Sequence, residues 1–288
     1  MPLADIIILF IFGIAFGSFF NVIILRYDGE GVLADPHAIG GRSQCMSCHA
    51  TLRWFELVPV VSFLIQGGRC RHCGAKISMQ YPVVELLAGV IFFAVPWRVV
   101  TWYAIVPHGT EAVVALAVLW TAAFSALLIM AAVDLRLGII PDEVVIFLTV
   151  VGVAVVALNA SVVHQSFIAP IASVLGDPSS SWVSAIIGAL VGVAIFGGLW
   201  FGTRGKGMGM GDVKLAGPLG ILFGWPDILA LATASFILGA LVGVAAIAFK
   251  KKDMQSAIPF GPFLALGAVM IFFLGSGMAA WYLHLMNM

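Results

Sequence analysis

The sequence predicts an all-α polytopic membrane protein, with about eight transmembrane helices and a cytoplasmic loop domain that binds zinc. Three observations carry that prediction. Of 288 residues, 62% are hydrophobic and only 10% are charged, with a mean hydropathy of +1.11, far from the charge content of a soluble domain. Apolar runs of spanning length recur along the chain. All four cysteines fall in one polar stretch between the first two runs. The formal net charge is zero, which argues against a nucleic-acid partner and leaves the lipid bilayer as the expected surroundings.

The first run, Ile6–Leu25, is longer than a signal-peptide core and no small-residue cleavage site follows it, so it reads as a retained span. The others are Val83–Tyr103, Ala112–Val133, Val144–Leu158, Val183–Phe201, Ile228–Phe249 and Phe260–Leu283. Each approaches the roughly 20 residues that cross a hydrocarbon core, Val144–Leu158 being the shortest. A lesser apolar piece, Val213–Gly224, decides the topology. The polar loop after the first span holds Arg26, Arg42, Arg53, Arg69, Arg71 and Lys76, which marks it as cytoplasmic. If Val213–Gly224 also crosses, the triple lysine Lys250–Lys252 is cytoplasmic as well. All of the 14 Lys and Arg except Arg98 then lie inside. Eight crossings follow, with both termini periplasmic.

Several features have plain readings. Arg98 with Trp97, Trp102 and Tyr103 forms an interfacial belt on the outer side. Gly188, Gly192, Gly239 and Gly243 suit close helix packing. His108, His164 and His284 lie at outer ends and suggest no chemistry. The segment Asn159–Trp182 reads as an exposed connection.

The eighth crossing has a geometric consequence. Twelve helical residues reach only about 18 Å. Either the bilayer thins there, or the glycine-rich GMGMG before them enters the membrane as non-helical backbone, which is tolerated only against protein or a water-filled cavity. Asp212 then opens a short helix below the headgroups, where unpaired N–H groups favour an anion. Its bland reading is a helix cap after a flexible turn. A second carboxylate, Asp134, ends the third span on the same side. Asp142, by contrast, follows Pro141 as a helix N-cap, with Glu143 in the first turn. If the helices of Asp134 and Asp212 pack together, the two carboxylates can share a proton across a wet cleft. The ionised one then takes a proton from water while the protonated one hydrogen-bonds a carbonyl. Two unrelated interfacial charges are the alternative.

The cysteines form CMSC (Cys45, Cys48) and CRHC (Cys70, Cys73), two C-x₂-C pairs at the spacing of a tetrahedral zinc site. A cytoplasmic setting disfavours disulfides. Iron–sulfur ligation, or substitution of His49 or His72 for a thiolate, stays open. A closed four-thiolate site leaves no coordination position for catalysis, so its metal is structural.

These stretches together resemble the prepilin peptidases, the leader peptidase and N-methyltransferase family of type IV pili and type II secretion. The resemblance is carried by GSFFNVIILR (Gly17–Arg26), the paired CxxC elements, YPVVELLAG (Tyr81–Gly89), VDLRLGIIPD (Val133–Asp142) and GMGMGDVKL (Gly207–Leu215). It implies a GxGD-type aspartic protease of the bacterial inner membrane, with Asp134 and Asp212 catalytic. The implied substrates are prepilins and pseudopilins: a basic leader ending in glycine, then usually phenylalanine and an apolar helix. It further implies methylation of the new N-terminal amine from S-adenosylmethionine, because the cysteine loop is present. Gly68 matches a glycine associated with methylation. Glu85 could bind the amine, its bland reading being a buried charge paired with a loop Arg or Lys. The domains so implied are 1–25, the first helix; 26–82, the zinc loop linked to methyl transfer; and 83–288, the membrane peptidase.

Two rival classes are a proton- or cation-coupled transporter and a non-catalytic scaffold of a secretion machine. Broken helices with a carboxylate at depth suit a carrier. No internal repeat is visible, however, and a carrier leaves the cysteine loop without a role.

Overall fold

The computed structural model describes residues 2–286 apart from 34, 36–39, 104–109, 160–165, 177, 179 and 250–257. The triple lysine and the histidines at 108 and 164 lie outside the described residues. Among those described there are helices and no strand, with only two isolated bridges, Gln44–Thr51 and Arg69–Lys76. Seven helices are long and apolar enough to cross a membrane: α1 (Leu3–Arg26), α3 (Gln80–Tyr103), α4 (Thr110–Leu137), α5 (Asp142–Asn159), α7 (Ser181–Gly202), α9 (Asp227–Ala248) and α10 (Gly261–Leu285). Each matches one expected run. The eighth expected crossing is α8 (Met210–Phe223), whose 14 residues span about 21 Å. Two further helices, α2 (Val61–Ile65) and α6 (Ala169–Leu175), are short.

The chain forms two compact units, Met1–Ile105 and Val106–Met288. In the first, α1 lies along α3, and glycines make the approach possible. A Cβ on Gly13 would stand 2.6 Å from the Ala88 carbonyl oxygen, and one on Gly17 would stand 2.6 Å from the Glu85 Cα. Reciprocally, Gly89 faces Phe10 and Ile14. This is the small-residue logic of membrane helix pairs. Arg98 lies over the Trp102 ring at 4.2 Å, a cation–π contact.

In the second unit, α8 is packed between α5 and α7. Leu215, Ala216 and Leu219 are fully buried. Gly188 of α7 and Gly220 of α8 meet so closely that a Cβ on either would overlap the other's carbonyl oxygen. Gly192 lies against Ala216 in the same way, at 2.8 Å from its carbonyl oxygen. Gly239 and Gly243 are looser than expected, with nothing nearer than 3.2 Å and 3.9 Å. An aromatic core surrounds Trp120, whose ring lies 4.8 Å from Phe272, 5.5 Å from Phe223 and 5.7 Å from Phe167.

Two expectations need correction. The segment Asn159–Trp182 is not an exposed connection: Ser166, Phe167 and Ile168 are buried and lead into α6. The buried Asp227 carboxylate accepts hydrogen bonds from the Ser166 hydroxyl at 2.6 Å, the Phe167 N–H at 2.9 Å and the Ile168 N–H at 3.1 Å. Buried backbone donors need such partners, at about 1–3 kcal/mol each if left unpaired. Secondly, GMGMG is not wholly irregular. Its last two residues, Met210 and Gly211, already belong to α8, and only Gly207–Gly209 stay non-helical.

The glycine contact between α7 and α8 is expected to carry stability. Gly220→Ala should lower the thermal midpoint in detergent by several degrees, about 1–3 kcal/mol for an overpacked contact. Gly198→Ala, with open space around it, should leave the midpoint unchanged. Equal midpoints would show that the contact is unimportant.

Candidate active site

VDLRLGIIPD turns the chain from α4 into α5. Asp134 sits one turn before the end of α4, and its carbonyl oxygen accepts the Gly138 N–H at 2.8 Å. Gly138 has φ +70°, the left-handed conformation that closes a helix and that glycine adopts without a steric penalty. Ile140 follows and packs on Gly211, where a Cβ would lie 3.1 Å from the Ile140 Cβ. Asp142 then opens α5 and pairs with Lys214 Nζ at 2.8 and 3.0 Å. Expected as the N-cap, Asp142 is instead the first residue of the helix, and its carboxylate makes an exposed ion pair, worth little energy, that ties the starts of α5 and α8 together.

GMGMGDVKL supplies the other side. Arg204 and Gly205, both at positive φ, turn the chain after α7. Asp212 falls in the first turn of α8, and its Oδ2 accepts the Gly209 N–H at 3.3 Å. The capping role is therefore real, and it fixes the carboxylate in place. Asp134 lies near enough for its charge to act on Asp212. Both carboxylates are buried, at 4% and 6% exposure, so little water screens one from the other. The structure brings the two aspartates together.

Gly261 went unnoticed in the sequence. Its N–H, at the start of α10, donates to Asp134 Oδ2 at 2.9 Å. A Cβ there would stand 2.6 Å from that oxygen and 2.8 Å from the Met130 sulfur. The only local signal is the Phe-Gly-Pro at residues 260–262, a glycine and a proline opening a span.

The cysteines fold as two matching knuckles. Cys45 N–H donates to the Ala50 carbonyl at 3.0 Å, and Cys70 N–H to the Ala75 carbonyl at 2.9 Å. In each knuckle the residue four beyond the first cysteine, His49 or Gly74, takes positive φ and donates back to that cysteine's carbonyl at 2.9 Å. The sulfurs of Cys45, Cys48, Cys70 and Cys73 all lie within 4.8 Å of one another, with Cys45 and Cys73 3.9 Å apart. Tetrahedral zinc with Zn–S near 2.3 Å places its sulfurs about 3.8 Å apart, so the four thiols fit the metal. His49 and His72 stand outside the cluster. The backbone N–H groups of Cys48 and Ser47 hold the Cys45 thiol down at about 6, whereas the Cys73 thiol stands higher, at about 11.

Glu85 and Gly68 are both in the first unit. Glu85 is buried. It accepts the Val60 N–H at 2.7 Å and a hydrogen bond from Ser18. Among the described residues no Lys or Arg forms an ion pair with it, so the bland reading of a paired charge is not what the structure contains. Glu85 lines a cavity of about 650 Å³. Gly68, at φ +66°, stands behind one wall of that cavity, where a Cβ would meet the Phe63 ring at 3.0 Å.

Comparison with known proteins agrees with this division. Residues 11–99 match the bacterial peptidase A24 N-terminal domain, and residues 121–244 match the type IV leader peptidase family. A prepilin leader peptidase/N-methyltransferase of Bacillus subtilis is 31% identical, over 96% of this chain and 98% of its own length. Proteins of the same description from Aeromonas hydrophila and Burkholderia pseudomallei are 30% and 31% identical, each over 96% of this chain and over 93% and 86% of their own lengths. No solved structure matches.

Proposed function

We propose that this chain, which belongs to the prepilin leader peptidase/N-methyltransferase family, removes prepilin leaders with Asp134 and Asp212 as its catalytic pair. Family membership makes it a multi-pass membrane peptidase with N-methyltransferase activity. The finer reading concerns how it works and on what. The observation that carries it is the pair of buried carboxylates, each fixed through Oδ2 by one backbone N–H and close enough to feel the other's charge.

In this reading the backbone bonds orient the carboxylates and leave the remaining oxygens for chemistry. One carboxylate, ionised, accepts a proton from water as the water oxygen attacks the scissile carbonyl. The other, protonated, hydrogen-bonds the carbonyl oxygen and later passes its proton to the leaving amine. The pair titrates as a unit, so neither aspartate owns the shared proton. Gly261 is a positioning residue, since any side chain there displaces Asp134.

The substrate class is prepilins and type II secretion pseudopilins, whose leader junction meets the pair at the cytoplasmic face. That face, with periplasmic termini, is supported by the distribution of Lys and Arg in the sequence. The four cysteines hold one structural zinc that folds the loop. Methyl transfer from S-adenosylmethionine belongs to the first unit, with Glu85 at the site and Gly68 supporting it.

Two outcomes test the peptidase. Asp134→Asn and Asp212→Asn should each lower leader removal from a purified prepilin by about 10²–10⁴-fold, with the thermal midpoint retained. Cleavage by either at the wild-type rate would remove the pair from the mechanism. Gly261→Ala should lower kcat by about 10²-fold, the cost of an ångström-scale misplacement, while KM stays near that of wild type. A rise in KM with kcat unchanged would mean that Gly261 binds substrate and does not position Asp134.

A further inference from the structure

The loop between the first two spans has a middle that is not polar. Residues 54–65 read WFELVPVVSFLI, and Trp54, Leu64 and Ile65 are 79%, 70% and 69% exposed. Leu57, Val58 and Val61 are exposed beside them. In α2, Val61, Leu64 and Ile65 recur at i, i+3 and i+4, a single helix face. Ser62, Phe63 and Gln66 turn the other way and line the cavity with Glu85. The apolar face thus points away from the protein, and an exposed patch of this kind marks a surface that something covers.

The depth of the patch identifies its partner. The segment is pinned at Val60, whose N–H donates to Glu85 Oε2 at 2.7 Å. Glu85 lies in the second turn of α3, about 7 Å from the start of that helix. Its Cα faces Gly17, well inside the end of α1. On the same turns α3 exposes Val83, Leu86 and Leu87, side chains of the kind that a spanning helix shows to lipid. The patch therefore extends, at the same level, the boundary that α3 makes with the bilayer. Val60 itself takes φ +59°, a conformation that a β-branched residue holds only when its surroundings impose it, so the fold fixes this level. The backbone also suits a lipid boundary, where unpaired N–H groups are costly. The N–H groups of Glu56 and Leu57 donate to the carbonyls of Arg53 and Trp54, and those of Ser62 and Leu64 to the carbonyls of Val58 and Val60. Charge points to the same partner. Between residues 49 and 79 the chain has Arg53, Arg69, Arg71 and Lys76 but no acid except Glu56, which is buried.

We propose that residues 54–65 are seated in the headgroup–acyl boundary of the bilayer, with the exposed side chains of Arg53, Arg69 and Arg71 against anionic lipid headgroups. Interfacial segments bury an apolar face about 5–10 Å into that boundary and gain from anionic lipid, and a tryptophan at the end of one suits the interface. The two cysteine knuckles bracket the segment. The loop is thus held against the membrane at its centre as well as by the helices at its two ends. This goes beyond the peptidase and methyltransferase readings and needs neither.

The test uses the full-length protein in lipid nanodiscs of phosphatidylcholine with phosphatidylglycerol. Subtracting the emission of Trp54→Phe from that of wild type isolates Trp54, with equal thermal midpoints as the control for folding. Trp54 should lose most of its emission to lipid brominated near the headgroups and little to lipid brominated at the chain ends. The loss should shrink in phosphatidylcholine alone; an equal loss there would remove the arginines from the proposal. Leu64→Glu combined with Ile65→Glu changes side chains outside the protein's own packing, so it should cancel the shallow quenching while the midpoint in detergent stays the same. Quenching kept in full by that double variant would overturn the proposal, since Trp54 would then meet lipid without this patch. So would a Trp54 that emits as in water and is quenched by neither lipid. Emission shielded from water yet unquenched would mean that a second copy of the chain covers the patch, and shielding that begins only with added prepilin would make it a substrate surface; either result overturns the lipid assignment.

Discussion

If α8 is the eighth crossing, its 14 residues fall about 9 Å short of a hydrocarbon core near 30 Å thick, and the packing around it bears on that shortfall. Irregular backbone cannot face lipid, so the chain before α8 needs protein on its sides. Gly207 and Gly209 in that stretch are instead exposed, and the close packing begins in α8 itself. Gly188, Gly192 and Gly220 let α7 and α8 touch backbone to backbone, and Ile140 packs on Gly211. The short helix can then begin with a buried carboxylate at its first turn.

The two carboxylates are handled alike. Each spends one oxygen on a backbone N–H next to a helix start, Gly209 for Asp212 and Gly261 for Asp134. Backbone donors suit this task because they cannot titrate and do not rotate away. A lysine or arginine in their place would pin both aspartates in the ionised form and defeat proton sharing. In keeping with this, the Asp142–Lys214 ion pair lies in the exposed rim and leaves the buried pair alone.

Span positions were legible in the sequence because lipid demands about 20 apolar residues in a row, a signal written locally. The cysteine spacing was legible for the same reason, since tetrahedral ligation imposes short, fixed separations. Asp134 and Asp212 stood out as carboxylates at span ends. What stayed hidden was held by distance in sequence. Gly261 meets Asp134 across 127 residues, and Asp227 meets Ser166 across 61. The second contact turned an expected exposed connection into a buried one, because three donors in that segment needed an acceptor. The contact of Ser18 with Glu85 stayed hidden until α1 and α3 were seen to pack through Gly17.

The central claim is that Asp134 and Asp212 act as one proton-sharing pair. Its most direct test is the pH dependence of leader cleavage by purified wild-type protein across about pH 4 to 9, at saturating prepilin. A shared proton predicts a rate that rises and falls through two inflections belonging to the pair. A rate flat across the whole range would contradict the account.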